Sequence, residues 1–448
     1  MSAGSDFMAS LTAAQAVLRA ARQASDPGWL QDLRRQAMQR LQDQGLPDTR
    51  REQWKYTDLR PLRRLGFNLA EQTTAGIDPA RITGLAIPGQ SGPRLVFVDG
   101  HYQAALSQPE SGDDGVIVCA LDKALQRYQG ALKSLLAMPA DNNPDHSFQC
   151  LNMALMNTGA YIALADGCEL DLPVQLLFVN TTTTQNLLSC PRILIHTGAN
   201  SRVRVIEHYV ALGEPQNLCA ALTRIEAGPG SSIEHIKVQQ ESPRAFHIGR
   251  LEVHQARASH LDSHTLCLGA RLNRNDIDTR LQAEGASAML NGLYLGKGRQ
   301  HVDNHTLIEH ASPHTRSEEI FKGVLDGHAR AVFNGRVIVQ PDAQKIESHQ
   351  HNRNLLLSQD AEVDSKPELE IYADDVSCSH GATVGQIDAQ ALFYLRSRGI
   401  AEADARAVLT YAFADDIIAR IGLRPLREHL ETVLNEHLPG QLDLEAIA

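Results

Sequence analysis

The 448-residue chain has no two cysteines at C-x-x-C spacing. Its seven cysteines (Cys119, Cys150, Cys168, Cys190, Cys219, Cys267, Cys378) are scattered singly, and their number is odd. That pattern is a poor disulfide framework, suits a reducing compartment, and argues against a zinc or ferredoxin-type site closed within one segment. No apolar run approaches the roughly 20 residues that a membrane helix needs. The stretch from Met1 to Ala24 lacks an uninterrupted apolar segment of signal-peptide length and reads as a helix carrying Arg19 and Arg22, so the expected location is the cytoplasm. Basic charge is also in deficit. A formal net charge of −11 disfavours generic nucleic-acid binding and an anionic membrane surface. Nucleotide motifs are missing too. Gly292 to Gly298 holds Lys297, but Gly298 stands where a phosphate loop requires Ser or Thr, and no G-x-G-x-x-G or G-x-S-x-G stands at a strand-to-helix junction.

What is present falls into three zones. Residues 1–157 are mainly helical: Leu30, Leu33, Ala37 and Leu41 recur at helical spacing, and Gly45 and Pro47 stop that helix. Within this zone Leu95 to Val98 reads as a strand running into an Asp99-Gly100 turn, and helical character returns from Ala120 to Leu136. In residues 158–385 the rhythm changes to period two, as in Arg202-Val203-Arg204-Val205, with Gly, Asn, Asp or Ser between short runs. More than 200 residues of this kind fit a large sandwich, a barrel or a β-solenoid. The solenoid is preferred because stacked coils leave edges only at the two ends, although no strict hexapeptide or nonapeptide repeat is visible. Residues 386–448 return to the helical period. Asp388 reads as an N-cap, Arg398-Gly399 as a stop, and Leu426, Leu430, Leu434 and Leu438 form one stripe on a last helix starting near Pro425. This stripe either packs on the solenoid or docks another subunit.

The most informative residues for chemistry are Cys378 and His380. In an extended segment they project to the same face, as a thiolate–imidazole pair suited to iron, copper or zinc, or as a cysteine nucleophile beside a base. Two ligands do not complete a site, so a metal here needs partners from elsewhere; the plain alternative is a packed structural cysteine. A second group comprises His301, His305, His310 and His314 with Glu309, Glu318 and Glu319 nearby. Asn304, Ser312 and Pro313 argue against the helix that an H-x-x-x-H zinc site needs, so structural or surface roles are favoured. His349 and His351 fall on one face of a strand and are read the same way.

A longer set of motifs carries a family resemblance. It comprises Phe321-Lys322-Gly323-Val324-Leu325, Val332-Phe333-Asn334-Gly335-Arg336, Ala343-Gln344-Lys345, Asn354-Leu355-Leu356-Leu357-Ser358, Pro367-Glu368-Leu369-Glu370-Ile371, Cys378-Ser379-His380-Gly381-Ala382-Thr383 and Phe393-Tyr394-Leu395-Arg396-Ser397-Arg398-Gly399-Ile400. Together with Glu52-Gln53-Trp54-Lys55-Tyr56-Thr57 and Val96-Phe97-Val98-Asp99-Gly100 it resembles the SufB/SufD family of iron–sulfur cluster assembly scaffolds across nearly the whole chain. Length and the Trp54 element point to the SufD branch. Ser348-His349-Gln350-His351-Asn352 departs from the family pattern, in which an aromatic residue often precedes the glutamine.

The resemblance implies a right-handed parallel β-helix core between helical ends, a SufB-like paralogue joined through that core, and a SufC-like ABC ATPase docked on the C-terminal helices. It implies no enzyme activity or bound nucleotide of this chain's own, but a transient iron–sulfur cluster shared with the partner. His380 matches the histidine proposed to contribute to the nascent cluster, and Cys378 its neighbour. Exposed solenoid edges leave self-pairing into a homodimer open when the partner is absent. Two other readings compete. One is a secreted β-helix enzyme on polysaccharide, disfavoured by the 5% aromatic content. The other is a stand-alone metalloenzyme using His301, His305 and Glu309. On the family resemblance, truncation after Gly385 is expected to abolish ATPase binding and leave the β core soluble.

Overall fold

The computed structural model describes residues 4–70, 78–111, 115–138, 144–181 and 186–438. From Thr158 to Gly385 the chain runs alternately through one and then the other of two sheets, and the strands described in that stretch pair in parallel. This is a parallel β-solenoid. Its coils differ in length: Val203, Ile233, Leu261, Ala288, Ser317, Ser348 and Cys378 stand in register at spacings of 27 to 31 residues. A repeat so long and so uneven leaves no short motif to see.

Each coil enters the second sheet through a corner residue with positive φ: Asn200, Gly230, Ala258, Gly285, His314 and Lys345. Glycine adopts that conformation at least cost, and asparagine and histidine are among the residues enriched there. His314 is therefore a corner residue, half-exposed and 3.9 Å from Glu284.

Along each strand alternate residues face the lumen. On Arg202–Leu212 these are Val203, Val205 and Tyr209, which join the core with Ile225, Ile277, Leu290, Phe321 and Phe333. Arg202 and Arg204 face out toward Glu169 and Glu234. Burying each aliphatic side chain contributes about 1.5–3 kcal/mol, which is why the alternation fixes strand register.

The two ends of the solenoid differ. At the N-terminal end Val116–Ala120 adds antiparallel to Thr158–Leu164, and Arg94–Val98 adds beside Val174–Thr181 before turning at Asp99-Gly100 onto His101–Tyr102. The strand anticipated at Leu95 is thus present, and Val116–Ala120 is a further strand just before the helical stretch expected from Ala120. Phe97, Phe178 and Tyr209 stack in register, with centroids 4.8 Å apart at each step. At the C-terminal end both sheets stop at unpaired strands, Glu362–Ile371 and Val376–Gly385.

Helices cover the outer faces. Gly4–Arg22, Gly28–Gln44 and Ser147–Leu155 shelter Leu194, Leu218, Phe246 and Ile248 of the first sheet. Glu402–Ile418 and Arg424–His437 lie over Ile206, Ile236, Val238, Leu266 and Leu293 of the second. The stripe Leu426, Leu430, Leu434 and Leu438 is buried there, against the solenoid's flank. The Asp388 N-cap is realised: its carboxylate accepts from the backbone N–H of Gln390 and Ala391 at the start of Ala389–Ser397. On that helix Phe393 and Tyr394 are 73% and 56% exposed.

Candidate functional site

Val376–Gly385 pairs with Ile346–Leu356 on one side and, among the described residues, has no strand on the other. Cys378 and His380 both lie in it, two residues apart and on the lumen-facing row, as period-two spacing anticipated. Cys378 is half-buried against the core, and burial pushes its thiol pKa up. His380 is exposed at the open end.

Register places a polar row behind each of these residues. Behind Cys378 stand Ser348 and Ser317, whose hydroxyls lie 2.8 Å apart. His310, from the facing sheet, bonds the end of that pair, with Nε2 2.9 Å from Ser317 Oγ and Nδ1 2.8 Å from Thr315 Oγ1. Burial lowers the His310 pKa to about 4, so the ring is a neutral link in a hydroxyl chain. Behind His380 stand Gln350 and then Glu319, both buried. Gln350 Nε2 donates to Glu319 Oε2 at 2.6 Å.

Burial raises the Glu319 pKa to about 7 from an ordinary 4.5, the amide of Gln350 offsetting part of that. The sign for stability follows from where the proton sits. Below about pH 4 both folded and unfolded chains hold it, so Glu319 carries no penalty. As pH rises toward 7 the unfolded chain ionises first, and stability falls until the folded pKa is passed. The gap between 4.5 and about 7 corresponds to about 3 kcal/mol at 1.4 kcal/mol per tenfold. Glu319→Gln is expected to match the unaltered chain in denaturant resistance at pH 4 and to exceed it by up to that amount at pH 8. Equal stability of the two proteins at pH 8 would show that the carboxyl is solvated.

The remaining histidines are engaged elsewhere. His301 and His305 lie on the outer face of the first sheet and grip the Glu52–Thr57 element. His301 Nε2 is 2.8 Å from Thr57 Oγ1, and His305 Nδ1 is 3.1 Å from Gln53 Oε1. Asp303 between them takes Arg274 Nη1 at 2.6 Å and His305 Nε2 at 2.9 Å. Burial alone would raise the Asp303 carboxyl, but the Arg274 guanidinium and the hydrogen bond from His305 outweigh it and hold the pKa far below the usual range. Glu309 turns instead to Arg280 and Gln340. The His301, His305 and Glu309 set is thus not gathered around one point, and its histidines serve the N-terminal element. His349 and His351 face outward, His349 bonding Ser379 Oγ at 2.8 Å. Glu318 pairs with Arg420 of the C-terminal helices.

Among the described residues one trio could surround a metal ion: Cys219, Glu241 and His247, fully buried in the lumen with ligand atoms within 4.8 Å of one another. Nothing in the sequence spacing marks it, because Cys219 and His247 meet only through coil register. The Glu241 carboxylate already accepts from Asn180 at 3.0 Å, Asn217 at 3.2 Å, Gln239 at 3.1 Å and His247 at 2.6 Å. The lone-pair positions of Glu241 are thus filled by protein donors, while burial lowers the His247 pKa and its Nε2 has no hydrogen-bond partner.

A β-solenoid closed at one end, with two metal-capable side chains on the row that lines its open end, is the class of protein that fold and site define. Residues 179–413 match the model of the SUF system FeS cluster assembly SufBD core domain, and residues 6–176 that of the SufBD protein N-terminal region. The chain belongs to the SufBD family of iron–sulfur cluster assembly proteins. It is 33% identical over 393 residues to an iron–sulfur cluster assembly SufBD family protein of Synechocystis sp., covering 86% of each chain. To the iron–sulfur cluster assembly protein SufD of Escherichia coli it is 32% identical over 408 residues, 90% of this chain and 92% of that one. To SufD of Bacillus subtilis it is 25% identical over 427 residues, 91% and 94% of the two chains.

Proposed function

We propose that this chain is the non-ATPase scaffold subunit of a cytoplasmic SUF-type assembly complex. It joins a SufB-like paralogue through the open solenoid end and a SufC-like ABC ATPase through its C-terminal helices. The nascent iron–sulfur cluster is substrate, built between the chains and passed on. His380, with Cys378 beside it, is this chain's share of the ligands. The N-terminal region 1–157, the β-helix 158–385 and the helical region 386–448 divide the labour of capping, partner contact and ATPase docking.

The observation that carries this reading is the incompleteness of the end row. Two soft-to-borderline donors face an open lumen with no further ligand among the described residues, which suits a cluster that must be completed by a partner and then leave. The surroundings support a partner there: two unpaired edge strands, with Ile371, Tyr372 and Val384 exposed along them. Phe393 and Tyr394 are the exposed large apolar residues among the described residues of the C-terminal region and the natural ATPase contact, since the leucine stripe is spent on the solenoid. No helix of the described residues is long and apolar enough to cross a membrane.

His380→Ala tests the reading. Cluster assembly in cells is expected to fall about tenfold or more, while the complex still forms, because an exposed side chain at the coil end holds little of the fold. Loss of the complex in this variant would make the residue structural.

A further inference from the structure

Glu319, Gln350 and His380 lie 31 and 30 residues apart in sequence, yet occupy one row of the lumen wall on three successive coils. Neighbours in such a row are about 4.8 Å apart. The middle residue is the informative one. Gln350 is 1% exposed, and its amide Nε2 is tied back to Glu319 Oε2 at 2.6 Å. The fit on that side is close: a Cβ at Gly335 would lie 2.3 Å from Gln350 Nε2, so the glycine makes room for the amide. Gln350 Oε1, by contrast, is buried without any partner. A buried carbonyl oxygen left unpaired costs about 1–3 kcal/mol and calls for a donor. A planar amide whose nitrogen is held toward the preceding coil presents its oxygen away from it, and the next residue of the row is His380.

We infer that Gln350, oriented by Glu319, is the positioning residue for His380. When the exposed His380 ring turns in along the row, the unpartnered Oε1 accepts the N–H of one imidazole nitrogen and leaves the other nitrogen as a bare lone pair facing the open end. A metal-ligating histidine needs this arrangement, because a partner on the far nitrogen fixes both the tautomer and the ring plane. The inference rests on the reading of His380 as a cluster ligand. It adds that the ligand is preset before any partner or metal arrives.

The test is nitrogen-15 NMR of the histidine rings in the full-length chain, free of metal, with His380 assigned by the loss of its signals in His380→Ala. The unaltered protein is expected to show one His380 tautomer in about tenfold excess. Glu319→Gln keeps an acceptor for the Gln350 amide and should keep that excess. Gln350→Met removes the acceptor, and both tautomers should become populated. Should Gln350→Met fail to fold, Glu319→Leu takes its place, since it frees the amide and should shift the ratio likewise. An unchanged tautomer ratio in whichever of these two variants folds overturns the inference. The parent reading fails separately, if His380→Ala assembles clusters normally. When both hold, Gln350→Met in cells lowers assembly about tenfold with the complex intact.

Discussion

A chain ended at Gly385 is expected to aggregate, not to persist as a soluble β core. The sequence suggested the opposite, because the C-terminal leucines were as well suited to a docking face as to packing. In the structure they cover the second sheet: Ile417, Ile418, Leu426, Leu430 and Leu434 lie against Ile206, Ile236, Val238, Leu266, Leu293, Leu295 and Val324. Those seven sheet residues are all buried, and each contributes about 1.5–3 kcal/mol while covered. Removing the helices turns the row into a contiguous exposed apolar face, the kind that drives association. It also strips Lys322, buried along its length, of Asp416 at 2.8 Å and the Phe413 carbonyl at 3.0 Å. Sedimentation of the truncated chain should show large oligomers or no soluble protein. A monodisperse truncated chain with the full-length melting temperature would mean that the helices rest on the sheet without stabilising it. Loss of ATPase binding in such a truncation is therefore uninformative by itself.

Arg274→Ala is expected to be the most damaging single substitution on the N-terminal side. The guanidinium is almost wholly buried, 3.8 Å from the Trp54 ring centroid, and donates to Asp276 at 2.7 Å, Asp303 at 2.6 Å and the Gln53 carbonyl at 2.9 Å. Three separate stretches of chain thus meet at one cation. Its removal leaves Asp303 buried with only His301, His305 and Thr57 to answer its charge. Breaking a buried pair from one side costs about 3–5 kcal/mol. Denaturant titration should register that loss, together with a change in Trp54 fluorescence at lower denaturant than the unfolding of the sheets. A loss below about 1 kcal/mol would place the attachment of the Trp54 element in its apolar packing against Phe148.

These two results mark where sequence reading stops. Alternation made Arg202 to Val205 a strand and put Cys378 and His380 on one face, because a period of two is local. The choice of solenoid over sandwich was not local: coils of 27 to 31 residues hide their repeat, and the family resemblance supplied the answer. The role of His301 and His305 was equally out of reach, as their partners Thr57 and Gln53 stand 244 and 252 residues away. Charged residues at period-two positions read as a solvated face, yet Glu207, Lys237 and Glu241 point into the lumen and are satisfied there by His235, Asn275 and His247. The row Glu319, Gln350 and His380 exists only in the register of three coils. Gln350 carried no signal beyond its place in a motif.

Anaerobic affinity purification of the tagged full-length chain from its own host, with copurifying chains identified by mass, tests the scaffold reading most directly. The account predicts recovery of an ABC-type ATPase together with a longer paralogue of this chain, and the same set with His380→Ala. Recovery of the chain alone, at high yield and with one equivalent of zinc, would contradict it.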